Sequence, residues 1–219
     1  MKQLVLDIRP DAPPTLDNFI ADGNQGLLAA LALAAGGQGG HLYLWGEEGS
    51  GRSHLLQAAC AAATGEYRRA GQVTGPLPET PGLLLAVDDV EQLDDEAQIH
   101  LFNAFNRSGR LGQRLVLAGP AAPLGLALRE DLRTRVGQCL TFQVQPLDDT
   151  ARAAILTDQA ARRGLRLENE VASHLLRFGR RDLPNLLRVL DALDQASLER
   201  KRPITLPLLR ELVQGGLDI

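Results

Sequence analysis

The sequence predicts an α/β domain built on a parallel sheet, followed by a small all-helical domain. Between Gly40 and Leu147, short apolar segments that suit buried strands alternate with segments of helical character. A glycine-rich loop joins the first of these strands to the helix that follows it. After Leu147 the strand pattern stops, and helical segments follow one another.

Four apolar segments of the first domain are predicted strands. His41–Trp45 is short and compact, and Leu83–Val87 is a continuous apolar run that suits the centre of a parallel sheet. Arg114–Gly119 and Cys139–Val144 complete the set. Because strands that alternate with helices favour crossover connections, we expect the sheet to be parallel.

Helices and a loop separate these strands. The alanine-rich segment that begins at Ser53 is typical of a helix packed on a sheet, and the Gly- and Pro-rich residues 70–82 predict a loop. Asp94–Ser108 has the pattern of an amphipathic helix. Its predicted apolar residues, on or near one face, are Ile99, Leu101, Phe102 and Phe105.

The helical domain is predicted to start at Asp148, because Asp and Thr residues suit a helix N-terminus, and its first helix stops at Gly164. The later predicted helices are Asn169–Phe178, Leu183–Arg200 and Leu206–Gln214. The chain therefore divides into an extended tail (1–14), an α/β domain (15–147) and a helical domain (148–219).

Composition disfavours several classes of protein. The sequence contains no apolar run of the ~18 residues that a membrane-spanning helix needs, and Leu27–Ala35 is too short and too far along the chain for a signal peptide. The net charge of −4 disfavours nucleic acid as the primary partner, because proteins that bind phosphate backbones are usually basic. We expect a soluble, cytoplasmic protein.

The cysteines and histidines predict no special site. Cys60 and Cys139 lie in apolar neighbourhoods, which favours two buried free thiols over a disulfide. The four histidines have no metal-site spacing with each other or with cysteine.

The stretch GEEGSGRS, Gly46–Ser53, has the layout of a phosphate-binding loop. Its glycines allow successive backbone N–H groups to turn inward around phosphate oxygens, and it lies between a strand and a helix, as the motif requires. Ser53 occupies the hydroxyl position that binds Mg²⁺. The residues here that we predict to bind the nucleotide are Gly46, Gly49, Ser50, Gly51, Arg52, Ser53 and His54.

An acidic pair ends the strand that follows. In phosphate-loop NTPases the first acid at this position supports the metal, and the second orients or activates the attacking water. Asp88 is thus the predicted magnesium partner of Ser53, and Asp89 the predicted catalytic acid. A glycine-rich turn beside a solvated acidic pair is the alternative, which the strand context of both motifs disfavours.

Arg52 occupies the position where the motif demands lysine. Its planar fork keeps the positive charge but does not replace a compact ammonium at the β- and γ-phosphates. Binding through the backbone should survive, whereas hydrolysis depends on charge placed at the γ-phosphate. We expect the site to hold ADP or ATP and to turn over slowly.

With these residues the chain resembles the DnaA branch of the AAA+ ATPases over essentially its whole length. The matching segments are LYLWGEEGSGRSHLLQA, VDDVEQL and Pro14–Asn24, which resembles the segment that contacts adenine in this branch. The resemblance implies an AAA+ phosphate-loop domain with a helical lid, and implies that Phe19 and Ile20 lie near the base. Arginine in the lysine position is also a feature of regulatory members of the branch.

Arg129–Gly137 resembles the segment that carries the arginine finger in this branch. The match falls on Arg135, with Arg133 as the nearby alternative. Without the resemblance, either arginine would be interpreted as a solvated surface residue.

Two positions depart from the branch. Gly119-Pro120-Ala121 replaces the polar Asn or Asp that acts as a sensor after the strand RLVLA, and Pro184 replaces a second sensing arginine. Arginines close to Pro184 in the sequence are Arg180, Arg181 and Arg188. Both losses weaken detection of the γ-phosphate. The sequence also stops where an initiator continues into its DNA-binding domain, so we expect no direct sequence-specific DNA binding.

The tail segment QLVLDI resembles the short peptide by which replication proteins dock on the DNA polymerase III sliding clamp (beta). Gln3 would hydrogen-bond at the mouth of the clamp pocket. The side chains that would fill its apolar sub-pockets are those of Leu4, Leu6 and Ile8. An edge strand of the chain's own domain is the alternative interpretation.

The resemblance implies a negative regulator of replication initiation. In this interpretation the tail anchors the chain to the clamp, bound ADP organises the AAA+ domain, and Arg135 enters the ATP site of a DnaA initiator to promote hydrolysis there. An autonomous AAA+ ATPase of the helicase-loader type, or an interaction module with a dead site, are the alternatives. The sequence leaves open whether the resting form is a monomer, a homodimer or an occluded oligomer.

Overall fold

The computed structural model describes residues 13–179 and 183–219. These fall into two compact units. Among the described residues, the first comprises 13–46 and Arg52–Val144, and the second comprises those of Gln145–Ile219 with the short segment Glu47–Gly51.

The first unit is built on a parallel sheet of five strands. In chain order they are β1 (Leu42–Trp45), β2 (Gly65–Arg69), β3 (Leu84–Asp88), β4 (Arg114–Gly119) and β5 (Leu140–Gln143). Their order across the sheet is β2-β3-β4-β1-β5, and every pairing is parallel. The predicted parallel α/β sheet is therefore confirmed.

Four α-helices cover the sheet or follow its strands: α1 (Gln25–Ala35), α2 (Arg52–Ala62), α3 (Asp95–Leu111) and α4 (Glu130–Gly137). Short 3₁₀ turns lie at Ala70–Gln72, Val90–Gln92 and Pro123–Gly125. The bounds of α3 follow from its caps. The Asp94 carboxylate accepts a hydrogen bond from the Ala97 N–H at 2.8 Å, and Gly112 ends the helix in the left-handed conformation (φ 63°).

Side chains that alternate along the strands build two separate cores. Leu42 and Leu44 of β1 belong to the core that contains α1 and α2. Tyr43, between them, belongs to the core on the opposite face, with α3 and α4. The central strands are therefore buried on both faces, as their continuous apolar sequences predict.

Three features differ from the sequence prediction. Strand β2 was not predicted, because its sequence GEYRR is charged and it lies half-buried at the edge of the sheet. The helix α4 was identified only as the segment of the arginine finger. On α3 the prediction for Ile99 was wrong: its side chain is 41% exposed, whereas Leu101 and Phe105 are buried.

The second unit contains four helices in its described part: α5 (Asp149–Arg162), α6 (Asn169–Phe178), α7 (Leu183–Arg200) and α8 (Leu206–Gln214). The Asp148 carboxylate caps α5 by accepting a hydrogen bond from the Ala151 N–H at 2.6 Å. Leucine and valine side chains from all four helices form its own apolar core, among them Leu156, Val171, Leu190 and Leu209.

The side chain of His41, directly before β1, forms hydrogen bonds with β4 and α3. His41 Nδ1 accepts a hydrogen bond from the Leu115 N–H at 3.0 Å, so the neutral ring carries its proton on Nε2, which lies 3.1 Å from Ser108 Oγ. Burial lowers the pKa of His41, and the nearby Arg114 lowers it further. Protonation of His41 would break the acceptor bond at Nδ1.

We expect the free energy of unfolding to decrease as the pH falls from 8 to 5. The folded-state pKa of His41 is below its unfolded value, so its contribution is present above that unfolded value, about 6.5, and is lost as the pH falls through the folded pKa. His41→Asn, which keeps a neutral acceptor, should flatten this decrease in urea unfolding at each pH. An unchanged pH dependence in the variant would show that another group controls it.

Candidate nucleotide-binding site

The loop between β1 and α2 has the backbone that its glycines permit. Gly49 (φ 77°) and Gly51 (φ 97°) both adopt positive φ values that favour glycine. The Ser50 N–H donates to the Glu47 carbonyl at 3.2 Å, which closes a turn within the loop. Left-handed residues alternating with ordinary ones are the conformation in which backbone N–H groups converge on an anion.

Two polar side-chain atoms at this loop are buried without a hydrogen-bond partner among the described residues. They are Ser50 Oγ and Arg52 Nη1. A buried polar group that lacks a partner costs about 1–3 kcal/mol. Unpartnered groups beside the N-terminus of α2, where an anion is favoured, therefore suit a phosphate ligand. The residues present fit the nucleotide that the sequence predicts.

The acidic pair lies at the end of β3. The Asp88 side chain is fully buried, and its two oxygens accept hydrogen bonds from the Tyr67 hydroxyl at 2.8 Å and from the Asp89 N–H at 3.0 Å. These two bonds fix the orientation of the carboxylate. Tyr67 was missed by the sequence prediction because it lies on β2, the strand whose polar sequence concealed it.

Asp89 combines strain with an altered pKa. Its backbone is left-handed (φ 55°, ψ 45°), which is uncommon for a residue with a side chain. Burial raises the pKa of Asp89, and the neighbouring Asp88 carboxylate raises it further, while Arg52 and Arg69 lower it. Arg52 and Asp89 are thus close enough to interact electrostatically. Strained residues with perturbed pKa values are concentrated at functional sites.

The segment before α1 is held against the first turn of α2. Thr15 and Asn18 form reciprocal backbone-to-side-chain hydrogen bonds of 3.0 and 3.1 Å. His54 Nε2 lies 3.1 Å from the Thr15 carbonyl oxygen, and the rings of His54 and Phe19 have centroids 5.7 Å apart. The structure therefore brings Phe19 and His54 together, with Ile20 half-buried beside Phe19. Their contact with a base stays a prediction.

The two candidate arginine fingers lie on α4. The exposed Arg135 donates from Nη2 to Asn106 Oδ1 at 3.0 Å, and its guanidinium lies 5.8 Å from the centre of the Phe102 ring. Asn106 and Phe102 belong to α3, so their part in orienting Arg135 had no signal in the sequence. Arg133 is half-buried, and its side chain makes no hydrogen bond or ion pair within the described ranges.

The candidate second sensors and the residues of the tail are not part of the site described above. Arg188, a candidate second sensor, donates from Nη2 to Asn185 Oδ1 and to the Asp218 carbonyl, both at 2.7 Å, and so is bonded within the second unit. The remaining predicted residues lie outside the described residues: Gln3, Leu4, Leu6, Ile8, Arg180 and Arg181. The side chain of Pro184 is likewise not described.

Comparisons with known proteins show a match to one family model and similarity to several solved structures. Residues 149–213 match the family model of the Hda lid domain. Domain III of the Thermotoga maritima initiator DnaA is similar at 21% identity with a TM-score of 0.78, covering 96% of this chain and 100% of that chain. DnaA bound to AMPPCP and single-stranded DNA is 23% identical with a TM-score of 0.72, covering 87% and 68%. A Thermotoga maritima RuvB mutant is 19% identical with a TM-score of 0.73, covering 94% and 76%.

The fold is therefore that of the AAA+ proteins: a parallel α/β domain with a phosphate-binding loop, followed by a helical lid. The lid match concerns the helical domain, which resembles the lid domain of Hda over residues 149–213, while the solved structures of DnaA and RuvB share the fold. Both results confirm the resemblance inferred from the motifs. In the part of the chain that the structure describes, no helix is long and apolar enough to cross a membrane.

The strain at Asp89 predicts how substitutions affect stability. Asp89→Gly should change the free energy of unfolding little, because relief of the left-handed conformation offsets the greater freedom of glycine in the unfolded chain. Asp89→Val should be less stable than Asp89→Gly by about 1–2 kcal/mol, because a side chain with a branched β-carbon is strained there. Urea unfolding of both variants measures this difference. Equal stabilities would show that the backbone relaxes out of the left-handed region.

Proposed function

We propose that this chain is a nucleotide-holding regulator that promotes hydrolysis of ATP bound to a DnaA-type initiator. One observation carries the proposal: in an AAA+ fold with an Hda lid, the exposed Arg135 is held in a defined orientation by Asn106 and Phe102. We therefore expect the protein to be a negative regulator of replication initiation and to act in the cytoplasm.

The chain's own site would hold ADP or ATP. Gly46, Gly49 and Gly51 shape the loop, and Ser50 and Arg52 supply the unpartnered polar groups that suit phosphate oxygens. Ser53 and the oriented carboxylate of Asp88 would hold Mg²⁺, which neutralises phosphate charge when bound. The similarity to DnaA solved with AMPPCP supports a nucleotide at this loop.

Slow turnover in this site follows from its charges. Arg52 replaces the lysine whose ammonium reaches the β- and γ-phosphates, and its wide guanidinium is partly buried near Asp89. Gly119 offers no polar side chain at the end of β4. Charge placement at the γ-phosphate is the main contribution to catalysis in this reaction, so the bound nucleotide would serve mainly to organise the domain.

Arg135 would act on the partner's nucleotide. A guanidinium supplied from a second protein stabilises the charge that develops on the transferred phosphoryl group, and is worth 10³–10⁵ in rate in well-studied GTPases. Its planar set of donors matches phosphate oxygens. The weak contacts to Asn106 and Phe102 orient Arg135 on the surface while leaving it accessible.

The tail would bring the chain to its place of action. Gln3, Leu4, Leu6 and Ile8 match the clamp-docking peptide by sequence. An extended peptide loses conformational freedom when it binds, so we expect moderate affinity for the DNA polymerase III sliding clamp. Docking on a clamp loaded on DNA would raise the local concentration of this chain near an initiator on the same DNA.

Arg135→Ala should reduce the stimulated hydrolysis of initiator-bound ATP by about 10³-fold or to the initiator's basal rate, because the transition-state charge loses its partner. Phosphate release from ATP-loaded initiator, in the presence of clamp and DNA, measures this rate. Arg135→Lys should restore little, because an ammonium lacks the fork.

Arg133→Ala is the matched control on the same helix, and we expect it to retain most of the stimulation. Thermal unfolding should show that all three variants are folded, since the substitutions at the exposed Arg135 remove one surface hydrogen bond and a contact with the Phe102 ring, and Arg133→Ala removes no described side-chain hydrogen bond. Full stimulation by Arg135→Ala, or its loss only in Arg133→Ala, would contradict the assignment.

Gln3→Ala/Leu4→Ala should abolish binding to the purified clamp, because it removes the hydrogen-bonding side chain and the first apolar anchor. Surface plasmon resonance with immobilised clamp measures the affinity, and Lys2→Ala is the neighbouring control that should bind as the wild type does. Equal binding by the double variant and the wild type would remove the tail from the mechanism.

A further inference from the structure

The end of β4 has no room for a side chain. A Cβ atom added at Gly119 would lie 2.6 Å from the Tyr43 hydroxyl oxygen, 3.3 Å from Val90 Cγ2 and 3.4 Å from Glu91 Oε2. The first distance is shorter than real Cβ contacts allow. Gly119 does not adopt positive φ, so space rather than backbone conformation requires glycine here.

The Tyr43 hydroxyl is held firmly in this position. Its ring is fully buried in the core beneath α3 and α4, and its hydroxyl donates a hydrogen bond of 2.6 Å to the Ala121 carbonyl. Burial raises the pKa of Tyr43, so the hydroxyl stays protonated and remains a donor. Displacement of this side chain would break the bond and disturb the packing of the core.

Other polar groups converge near the same hydroxyl. Glu91 Oε2 and Arg52 Nη1 are both buried without a hydrogen-bond partner among the described residues. Both side chains are close enough to act on Tyr43: the Glu91 carboxylate raises its pKa and the Arg52 guanidinium lowers it. Tyr43 of β1 and Glu91 of the 3₁₀ turn Val90–Gln92 thus bring polar atoms to the end of β4, where the local sequence offers only glycine, proline and alanine.

The place of Gly119 in the sheet determines what a side chain there could contact. Gly119 pairs with Trp45, the last residue of β1, and the phosphate-binding loop begins directly after Trp45. Ligands of parallel α/β sheets bind outside the carboxyl ends of the strands. A side chain at position 119 would therefore stand beside Trp45, at the carboxyl ends of the central strands, where a ligand of such a sheet binds.

We propose that Tyr43 and Gly119 together determine specificity at the nucleotide site: the Tyr43 hydroxyl occupies the space that a side chain at position 119 would need, so that β4 offers no group to recognise a third phosphate. This inference rests on the proposed nucleotide site. It assigns the lost discrimination to the pair: Gly119 has no side chain, and the hydroxyl of Tyr43 on β1 leaves no room for one. A polar side chain at position 119 can recognise a phosphate only when the Tyr43 hydroxyl is removed, because the two cannot occupy the same space.

A two-by-two comparison of Tyr43→Phe and Gly119→Ala tests the steric part. Gly119→Ala should lower the melting temperature strongly in the wild-type background and much less with Tyr43→Phe, because that substitution removes the atom that would lie 2.6 Å from the added Cβ. Gly26→Ala on α1, which belongs to the opposite core, should show no such coupling. If Gly119→Ala alone fails to fold, rescue by Tyr43→Phe supports the proposal. Equal losses in both backgrounds, or no rescue, overturn it.

The second readout is the ratio of affinities for ATP and ADP, measured by titration calorimetry. Tyr43→Phe/Gly119→Asn should increase the preference for ATP about 10-fold over the wild type, since one added charge-assisted hydrogen bond is worth about 1.5 kcal/mol or more. Tyr43→Phe alone should leave the ratio within about twofold. A folded double variant with the wild-type ratio overturns the specificity role. If wild type binds neither nucleotide, the proposed nucleotide site fails, and the melting temperatures still decide the steric part.

Discussion

The parallel pairing of β1 between β4 and β5 is the constraint on which the rest of the first unit depends. This register buries β1 on both faces and places its carboxyl end beside those of its neighbours. The phosphate-binding loop starts at that end, and Arg52 follows it at the head of α2. Since β3 lies next to β4 in the same parallel sheet, Asp88 and Asp89 at the end of β3 also lie at this carboxyl edge.

The polar groups at this edge differ in how they are partnered. Asp88 is fixed by Tyr67 and by the Asp89 backbone, whereas Arg52 and Glu91 each keep a buried atom without a partner among the residues that the structure describes. The hydroxyl of Tyr43 fills the space beside Gly119. A site of this kind favours holding a phosphate ligand over placing charge at a reacting γ-phosphate. In the proposed function, the catalytic contribution is that of Arg135 at the nucleotide of another protein.

Sequence patterns predicted what depends on local structure. The glycine loop, the central buried strands and the helix cap at Asp148 follow from periodicity and turn chemistry. Strand β2 was missed because a polar edge strand has no apolar signal, and the contact between Tyr43 and position 119 depends on the register of two distant strands. The support of Arg135 by α3 likewise arises only from tertiary packing.

The most direct test of this account measures binding and turnover in the same sample. The purified chain is incubated with labelled ATP and Mg²⁺, and the bound nucleotide and the released phosphate are followed over time. The account predicts stoichiometric binding with ATP that stays largely intact while an ordinary AAA+ ATPase completes many turnovers. Rapid phosphate release by the chain alone, or an absence of binding, would contradict it.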